Sequence, residues 1–269
     1  MDSTAALEDR VIETDATPPI DRARVRVEQA GRRVRAFVSG QPVADSKNAL
    51  LVFEPRRLVV YYFPAGDVRM DLLKPTRHTL DAGNTGETER WNLKVGDREI
   101  ENAAWSYPEP SGDRAALKGH VAFYWNKLDS WFEEDDEVFV HPRDPYHRVD
   151  VLNSSRHVKV VVEGEVIAET TRPRILLETG LPPRYYIPKL DVQLDLLDAT
   201  GSVTACPYKG QARYWSVRAG GQVWKDLVWS YPAPIPECPK IENLLCFYNE
   251  KVDLYVDGEL QPRPKTPWS

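Results

Sequence analysis

Apolar and polar residues alternate over short stretches along most of the chain, with turn residues between the stretches. Residues 34–38 read Val-Arg-Ala-Phe-Val and precede Ser-Gly, and residues 158–162 precede Glu-Gly in the same way. This alternation before a turn is typical of strands that form hairpins. The pattern predicts roughly eight short antiparallel strands in each half of the chain. It also predicts one short helix in each half, near residues 114–119 and 238–244.

Two segments of the first half have patterns that fit more than one kind of secondary structure. Residues 67–72 alternate in polarity, which favours an extended segment. Residues 117–131 carry an apolar stripe that fits a helix. Residues 251–258, in the corresponding part of the second half, alternate strictly and end in Asp-Gly, a hairpin signal. We therefore predict strands for this part of both halves.

The chain contains an internal repeat the size of a domain. Trp-Ser-Tyr-Pro occurs at residues 105–108 and 229–232, and the same shift of 124 residues places Tyr61-Tyr62 on Tyr185-Tyr186. Nearly ungapped repeats require nearly equal folds, so we predict two tandem copies of one domain. The predicted divisions are a disordered arm at residues 1–21, a first domain at 22–144 and a second domain at 145–269.

The bulk composition excludes several classes of protein. The net charge is −6 and the sequence pI is about 5.5, which argues against a general nucleic-acid binder. The three cysteines show no Cys/His spacing typical of zinc sites, so we expect no metal or other cofactor. Residues 1–20 lack the apolar run of a signal peptide, and no stretch approaches the ~20 apolar residues of a membrane span. We therefore expect a cytoplasmic protein that does not bind membranes.

The order of several short motifs is specific enough to suggest a family. In the second half these are Tyr-Tyr-x-Pro, Asp-Val-x-x-Asp-Leu-Leu, Cys-Pro-Tyr-Lys-Gly, Trp-Ser-Val, Trp-Ser-Tyr-Pro and Phe-Tyr. This order resembles the DUF427 domain, whose function is uncharacterised. The resemblance runs over residues 158–256 and again over 34–132, but the first copy has Ala-Gly-Asn-Thr-Gly at 82–86 in place of the Cys motif. It implies a mainly β fold, a small antiparallel barrel or β-tent (Mss4-like) domain, and it implies no substrate.

The Cys-Pro-Tyr-Lys-Gly motif is the strongest candidate for chemistry. Cys206 and Lys209 are three residues apart in a segment whose Pro and Gly favour a tight turn. The thiolate is the reactive form of cysteine, and a nearby cation lowers the pKa of a thiol. We therefore predict Cys206 and Lys209 as catalytic candidates. A buried cysteine beside a surface lysine is the competing structural interpretation.

Aromatic residues suggest a binding pocket in the second copy. Tyr208, Trp229, Tyr231 and Tyr186 are the predicted ligand-binding residues, because aromatic walls with a few polar groups line most small-molecule pockets. The competing interpretation is a core aromatic pair that closes one end of a barrel. Because Cys-Pro-Tyr-Lys-Gly is absent from the first copy, we predict no equivalent pocket there.

Two further groups of polar residues recur or cluster. We predict that Arg143, Asp144 and Arg148, in or beside the short linker, join the two copies. The second group consists of carboxylates at matching positions of both copies, which suit acid–base or metal chemistry or, alternatively, turn caps and surface charge. Its members are Asp67, Asp71, Asp191, Asp195, Glu54 and Glu178.

Three functional hypotheses remain open from the sequence. The first is a β module that binds a small molecule, with its site in the second copy. The second is an enzyme that uses Cys206 as a thiol nucleophile, with a histidine brought beside it by the fold. The third is a module that recognises a protein partner through exposed aromatic residues. A concave arrangement of Cys206, Lys209, Trp229 and Tyr231 favours the first two, and a convex arrangement favours the third.

Overall fold

A computed structural model describes residues 24–55, 57–76, 80–81 and 87–269. The predicted arm at 1–21 and the first-copy segment 82–86 lie outside the described residues. Within the described part of the chain, no helix has the length and apolar character that crossing a membrane requires.

The first copy is built from short strands, as the alternation predicts. Its strands are β1 Arg26–Gln29, β2 Val34–Val38, β3 Gln41–Ser46, β4 Leu50–Phe53, β5 Val60–Pro64, β6 Leu73–Pro75, β7 Leu80–Asp81, β8 Glu87–Val95, β9 Arg98–Ser106, β10 His120–Phe123, β11 Ser130–Glu133 and β12 Asp136–Glu137. They pair in the order β1-β4-β5-β10-β9-β8-β6 in a large sheet, in which β7 also pairs with β8, and β12-β11-β2-β3 in a small one.

The second copy repeats this arrangement. Its strands are β13 Val149–Asn153, β14 Val158–Val162, β15 Glu165–Thr170, β16 Arg174–Glu178, β17 Arg184–Ile187, β18 Leu197–Cys206, β19 Gly210–Ala219, β20 Gln222–Ser230, β21 Leu245–Phe247, β22 Asp253–Val256 and β23 Glu259–Leu260. The sheet orders are β13-β16-β17-β21-β20-β19-β18 and β15-β14-β22-β23. Every pairing between these strands is antiparallel in the described residues, and neither large sheet closes into a barrel there. The mainly β, two-copy fold is confirmed, but its sheets are open.

Within the described residues, the helical content consists of short 3₁₀ segments, and two of them, Gly112–Leu117 and Pro239–Ile241, lie where the short helices were predicted. The segments are Ala65–Asp67, Met70–Leu72, Gly112–Leu117 and Trp125–Lys127 in the first copy, and Lys189–Asp191, Leu194–Leu196 and Pro239–Ile241 in the second. Residues 67–72, whose alternation is compatible with an extended segment, instead lie largely in two of these segments, Ala65–Asp67 and Met70–Leu72. A 3₁₀ turn is too short to leave a periodic signal, so its polarity pattern resembles that of a strand.

Matching backbone features appear 124 residues apart. Ser39 and Glu163 both have positive φ angles, of 51° and 49°, in the two hairpin turns. Asn102 and Asp226 likewise have φ angles of 47° and 50° in the middle of β9 and β20, where the register with the neighbouring strand shifts. Such bulges redirect a side chain within a sheet. The repeat in sequence is therefore a repeat in detailed backbone geometry.

Alternate residues of the large sheet face two different cores. In the second copy, Ile187 and Val228 belong to the cluster that includes the small sheet. Tyr186 and Trp229, one residue away on the same strands, belong to a separate cluster that includes Ile241 of the last 3₁₀ turn. Period-two alternation puts neighbouring residues on opposite faces of a strand. The second face, away from the small sheet, carries the aromatic residues of the candidate site.

Candidate functional site

The Trp-Ser-Tyr-Pro motif builds the same aromatic frame in both copies. In the second copy the indole N–H of Trp229 donates to the Tyr186 hydroxyl at 3.1 Å, and the Trp229 ring lies 4.6 Å from that of Tyr248. Both Trp229 and Tyr186 are buried, with 7% and 1% of their surface exposed. Burial of the indole is favourable because its N–H finds a partner. Since Ser230, the residue after Trp229, is also fully buried, this motif is a structural framework as well as a candidate wall.

A cavity with a volume of about 700 Å³ lies against this frame in the second copy. Its lining includes five of the six predicted site residues, namely Cys206, Lys209, Tyr186, Trp229 and Tyr231. The arrangement is concave, as the first two functional hypotheses require. Further walls come from Tyr214, Tyr248, Arg184, Asp226 and Trp268, which sequence reasoning did not select.

Tyr208 does not line the cavity with the other predicted residues. Its ring stacks on His147 at 4.1 Å, and its hydroxyl accepts a hydrogen bond from the backbone N–H of Asp144 at 2.8 Å. Successive residues of the Cys-Pro-Tyr-Lys-Gly turn point in different directions, so Tyr208 faces the linker while Lys209 faces the cavity. Tyr208 therefore joins the second copy to the linker.

The turn that carries Lys209 depends on Gly210. The backbone N–H of Lys209 donates to the Cys206 carbonyl at 3.3 Å, and the carbonyl of Lys209 accepts from Ile235 at 3.1 Å. Gly210 has a φ of +103°, and a Cβ at this position would lie 3.2 Å from the Ala233 carbonyl oxygen. Both facts favour glycine. The motif therefore fixes the position of Lys209 against the following Pro-rich loop.

Lys209 forms a buried ion pair with Glu178. Its ammonium donates to both carboxylate oxygens at 2.6 Å, and Nε2 of His147 lies 3.0 Å from one of them. Burial alone raises the pKa of Glu178, but the charge of Lys209, its hydrogen bonds and those of His147 bring that pKa below its usual value. The ammonium charge is therefore compensated by a carboxylate, which weakens it as an activator of Cys206.

In the first copy, the carboxylate that corresponds to Glu178 pairs with an arginine in place of a lysine. Glu54 matches Glu178 in the repeat, and it accepts hydrogen bonds from Nε and Nη2 of Arg114 at 3.0 and 2.7 Å. Arg114 comes from the 3₁₀ segment after Trp-Ser-Tyr-Pro, whereas Lys209 comes from the Cys motif. Both copies thus have an ion pair at the same carboxylate position of the repeat. This equivalence indicates a structural part for the Lys209–Glu178 pair.

The three cysteines differ in their accessibility. Cys206 is half-buried at the cavity wall, whereas Cys238 and Cys246 are buried. Burial raises the pKa of the Cys238 thiol to about 11 and that of the Cys246 thiol to about 12. Among the three, Cys206 is therefore the thiol that a molecule entering the cavity contacts.

A second ion pair is specific to the second copy and holds the last residues of the chain in place. Arg184 donates to both oxygens of Glu250, at 2.7 and 2.6 Å, and both side chains are buried. Thr266 donates to the same carboxylate at 2.6 Å. The guanidinium of Arg184 also lies 5.8 Å from the ring of Trp268 and 5.5 Å from that of Trp229. The last residues of the chain thereby become part of the cavity wall.

Asp226 supplies a carboxylate that pairs with hydroxyls. Thr200 donates to one oxygen at 2.6 Å and Ser202 to the other at 2.8 Å. Among the described residues, no cation lies within ion-pair distance of Asp226. The mid-strand bulge of β20 directs this side chain to the cavity. Asp226 therefore gives the cavity a net negative charge, since Lys209 and Arg184 are each compensated.

The other repeated carboxylates have structural partners. Asp67 accepts a hydrogen bond from Ser46 at 2.6 Å, and Asp191 accepts one from Thr170 at 2.7 Å, at matching positions of the repeat. The remaining pair, Asp71 and Asp195, also lies in 3₁₀ turns. Within the described residues, no group of three or more metal-ligating side chains forms a site. These carboxylates therefore fit the interpretation as turn caps and surface charge.

The first copy has a cavity as well, which contradicts our prediction that it lacks one. Its volume is about 480 Å³, and Tyr62, Trp105, Tyr107 and Tyr124 line it. Trp105 donates to the Tyr62 hydroxyl at 3.0 Å, as in the second copy. The prediction was wrong because it rested on the missing Cys motif, whereas the aromatic frame alone forms the cavity. That frame was visible in the repeat.

The linker contacts both copies. The backbone N–H of Arg143 donates to the Glu133 carboxylate of the first copy at 3.4 Å, and the Arg143 guanidinium donates to Glu237 of the second copy at 2.7 Å. Tyr146 donates to Glu28 of the first copy at 2.8 Å. Asp144 contacts Tyr208 through its backbone, as described above. Arg148 departs from the prediction, since it pairs with Asp150 of the second copy at 2.7 Å.

Fold and site together define a tandem β protein with one aromatic-framed cavity in each copy. Residues 26–134 and 150–258 each match the family described as a domain of unknown function, DUF427. The chain therefore belongs to this family, with two tandem domains. No curated protein matches the chain. The domain boundary at residues 144 and 145 stays a prediction, as does the cytoplasmic location.

Proposed function

We propose that the chain is a small-molecule-binding protein and that its principal site is the cavity of the second domain. The observation that carries this proposal is the combination of a volume of about 700 Å³ with aromatic walls and one carboxylate without a cationic partner. Pockets for small molecules have this composition, with apolar walls for affinity and a few polar groups for orientation. A purely structural core would bury these rings against one another without a cavity.

The charge in the cavity indicates the kind of ligand. Lys209 is compensated by Glu178 and Arg184 by Glu250, so Asp226 is the group that can receive a charge or a hydrogen-bond donor from a ligand. Aromatic faces also attract cations. A ligand with an apolar ring and an amine or another donor therefore fits best.

Thiol chemistry at Cys206 is the second candidate function. Cys206 is half-buried and lines the same cavity, so a bound molecule reaches it. No histidine–cysteine hydrogen bond is present among the described residues: His141 lines the same cavity but bonds to the Pro142 carbonyl, and His147 bonds to Glu178. A nucleophilic cysteine needs such a base or an uncompensated cation. Binding is therefore the better supported function.

Calorimetric titration with three indoles tests the proposal. Tryptamine, tryptophol and indole-3-acetate share one ring and carry a positive, a neutral and a negative substituent. We expect tryptamine to bind the second domain more tightly than tryptophol. We expect Asp226→Asn to weaken tryptamine binding about tenfold, a loss of about 1.4 kcal/mol.

The Asp226→Asn variant is a mild substitution because Asn102 occupies the matching position of the first domain. The carbonyl oxygen of Asn accepts the hydrogen bond of one hydroxyl, and its amide N–H donates to the other, so both Thr200 and Ser202 keep a partner. Equal tryptamine affinity in the wild type and in Asp226→Asn would contradict the assigned site. Absence of any binding by the three indoles, together with capture of a protein through Trp268 and its neighbours, would favour the interaction module.

A further inference from the structure

The two cavities share an aromatic frame but differ in charge at one matching position. Arg90 of β8 lies directly across the sheet from Trp105, and Tyr214 of β19 lies directly across from Trp229. Directly opposed residues of an antiparallel pair project to the same face. Arg90 and Tyr214 line their respective cavities. The first domain therefore has a guanidinium where the second has a phenol.

Arg90 has no ion-pair partner among the described residues. Its Nε is buried and makes no hydrogen bond there. Arg35 and Arg143 also have an unbonded Nε, but their other nitrogens pair with Asp135 and Glu237. Arg90 differs from both, because the one described contact of its guanidinium is with the ring of Tyr124, at 5.9 Å. A buried N–H such as this Nε–H is costly without a hydrogen-bond partner.

The carboxylate nearest this cavity is not available to Arg90. Glu54 lines the cavity, but Arg114 donates two hydrogen bonds to it and Arg57 a third at 2.9 Å. The asymmetry extends to the mid-strand bulge, where the first domain has the neutral Asn102 and the second has Asp226. The balance of charge is therefore positive at the first cavity and negative at the second.

We propose that the cavity of the first domain is a second binding site, which takes an aromatic or other apolar carboxylate. The guanidinium of Arg90 offers two parallel N–H donors to a carboxylate, a geometry that lysine does not provide. Tyr62, Trp105 and Tyr124 supply the apolar walls for the rest of the ligand. A volume of about 480 Å³ accommodates a ligand with one or two rings. The two domains thus select ligands of opposite charge.

A panel of carboxylates and matched amines tests this proposal. The probes are benzoate, indole-3-acetate and 2-naphthoate against benzylamine, tryptamine and 2-naphthylmethylamine. NMR titration of the full chain locates each probe through the indole N–H signals of Trp105 and Trp229. We expect at least one carboxylate to shift the Trp105 signal and its matched amine to bind there at least tenfold more weakly. We expect Arg90→Gln to lower the carboxylate affinity at least tenfold.

Two variants distinguish this site from that of the second domain. Arg90→Lys keeps the charge and should retain part of the preference for carboxylates. A variant whose first domain fails to fold would instead lose the dispersed signals of that domain without any ligand. Asp226→Asn should leave carboxylate binding at Trp105 unchanged, and Arg90→Gln should leave tryptamine binding at Trp229 unchanged. The proposal is overturned if no carboxylate shifts the Trp105 signal, or if carboxylates and amines bind there equally. Either result leaves the site of the second domain unaffected.

Discussion

Lys209 donates hydrogen bonds to both carboxylate oxygens of Glu178, each at 2.6 Å, at the wall of the second-domain cavity. The first domain replaces the lysine with an arginine from another segment and keeps the carboxylate. A buried pair of this kind is costly to break, because removing one member leaves an uncompensated charge. The pair therefore fixes the loop that carries Cys206 to the strand that carries Glu178.

The first prediction concerns this ion pair. Lys209→Met should lower the free energy of unfolding by about 3 kcal/mol, because it leaves the Glu178 carboxylate buried with the His147 hydrogen bond as its remaining side-chain contact. Lys209→Met combined with Glu178→Met should cost less than Lys209→Met alone. Chemical denaturation measures both. Glu109→Gln is the matched control, since its pair with Lys118 is exposed and should contribute nothing measurable. A double variant less stable than Lys209→Met would contradict this account.

The second prediction concerns the stability of the protein at acidic pH. The pKa of Glu178 is lower in the folded protein than its usual value, so the unfolded chain binds the proton more tightly. Its stabilising contribution is present above the unfolded pKa, about 4.3, and is lost as pH falls through the folded pKa. Denaturation midpoints measured from pH 6 to pH 3 should therefore fall more steeply for the wild type than for Glu178→Gln. Parallel curves would show that Glu178 is not linked to stability in this way.

The third prediction concerns the thiols. N-ethylmaleimide should modify Cys206 in the native protein and leave Cys238 and Cys246 unmodified, because these two are buried and burial raises their pKa. Intact-mass spectrometry should show one adduct in buffer and three in denaturant. Cys206→Ser should abolish the native adduct, and tryptamine should slow its formation. Rapid native modification of Cys238 or Cys246 would contradict the burial described here.

The fourth prediction concerns the end of the chain. Trp268 lines the second cavity and is 42% exposed, so Trp268→Ala should change the stability little. Its ring lies near Arg184 and closes one side of the cavity, so the same substitution should lower tryptamine affinity several-fold. Calorimetry measures the affinity, and denaturation measures the stability. Leu260→Ala, at an exposed residue outside the cavity, should leave both unchanged.

The fifth prediction concerns the joint between the domains. Arg143 and Tyr146 connect the linker to both domains, so the two halves should show one rotational correlation time by NMR relaxation. Arg143→Ala combined with Tyr146→Phe should reduce this coupling without unfolding either domain. Two clearly different correlation times in the wild type would contradict it.

Much of the fold could be predicted because its signals are local or repeated. Period-two alternation located strands such as β2 and β14, and the 124-residue repeat fixed the number of domains. The 3₁₀ segments Gly112–Leu117 and Pro239–Ile241 lie where short helices were predicted, whereas the other 3₁₀ turns were missed because three residues leave no period. The Lys209–Glu178 pair could not be predicted, since the partners are 31 residues apart, one in the turn between β18 and β19 and the other at the end of β16. The direction of the Tyr208 side chain depends on the geometry of the turn. A hydrophobic periodicity along the sequence carries no information about that geometry.

The cavity of the first domain shows a different reason for failure. Its frame of Tyr62, Trp105 and Tyr124 was evident in the repeat, but the Cys motif was given more weight than the frame. The motif contributes Cys206 and Lys209 to one cavity, whereas the aromatic residues are common to both. Pairs of matching positions that differ in charge, such as Arg90 and Tyr214, were the signal that pointed to ligand class.

The crystal structure of the full chain with tryptamine tests the central claim most directly. We predict electron density for the indole ring in the second-domain cavity, against Trp229 and Tyr248, with the ammonium within hydrogen-bond distance of the Asp226 carboxylate. Asp226→Asn crystals under the same conditions should show weaker density or none. Density at another surface, or an empty second cavity at saturating tryptamine, would contradict the claim that this cavity binds a small molecule.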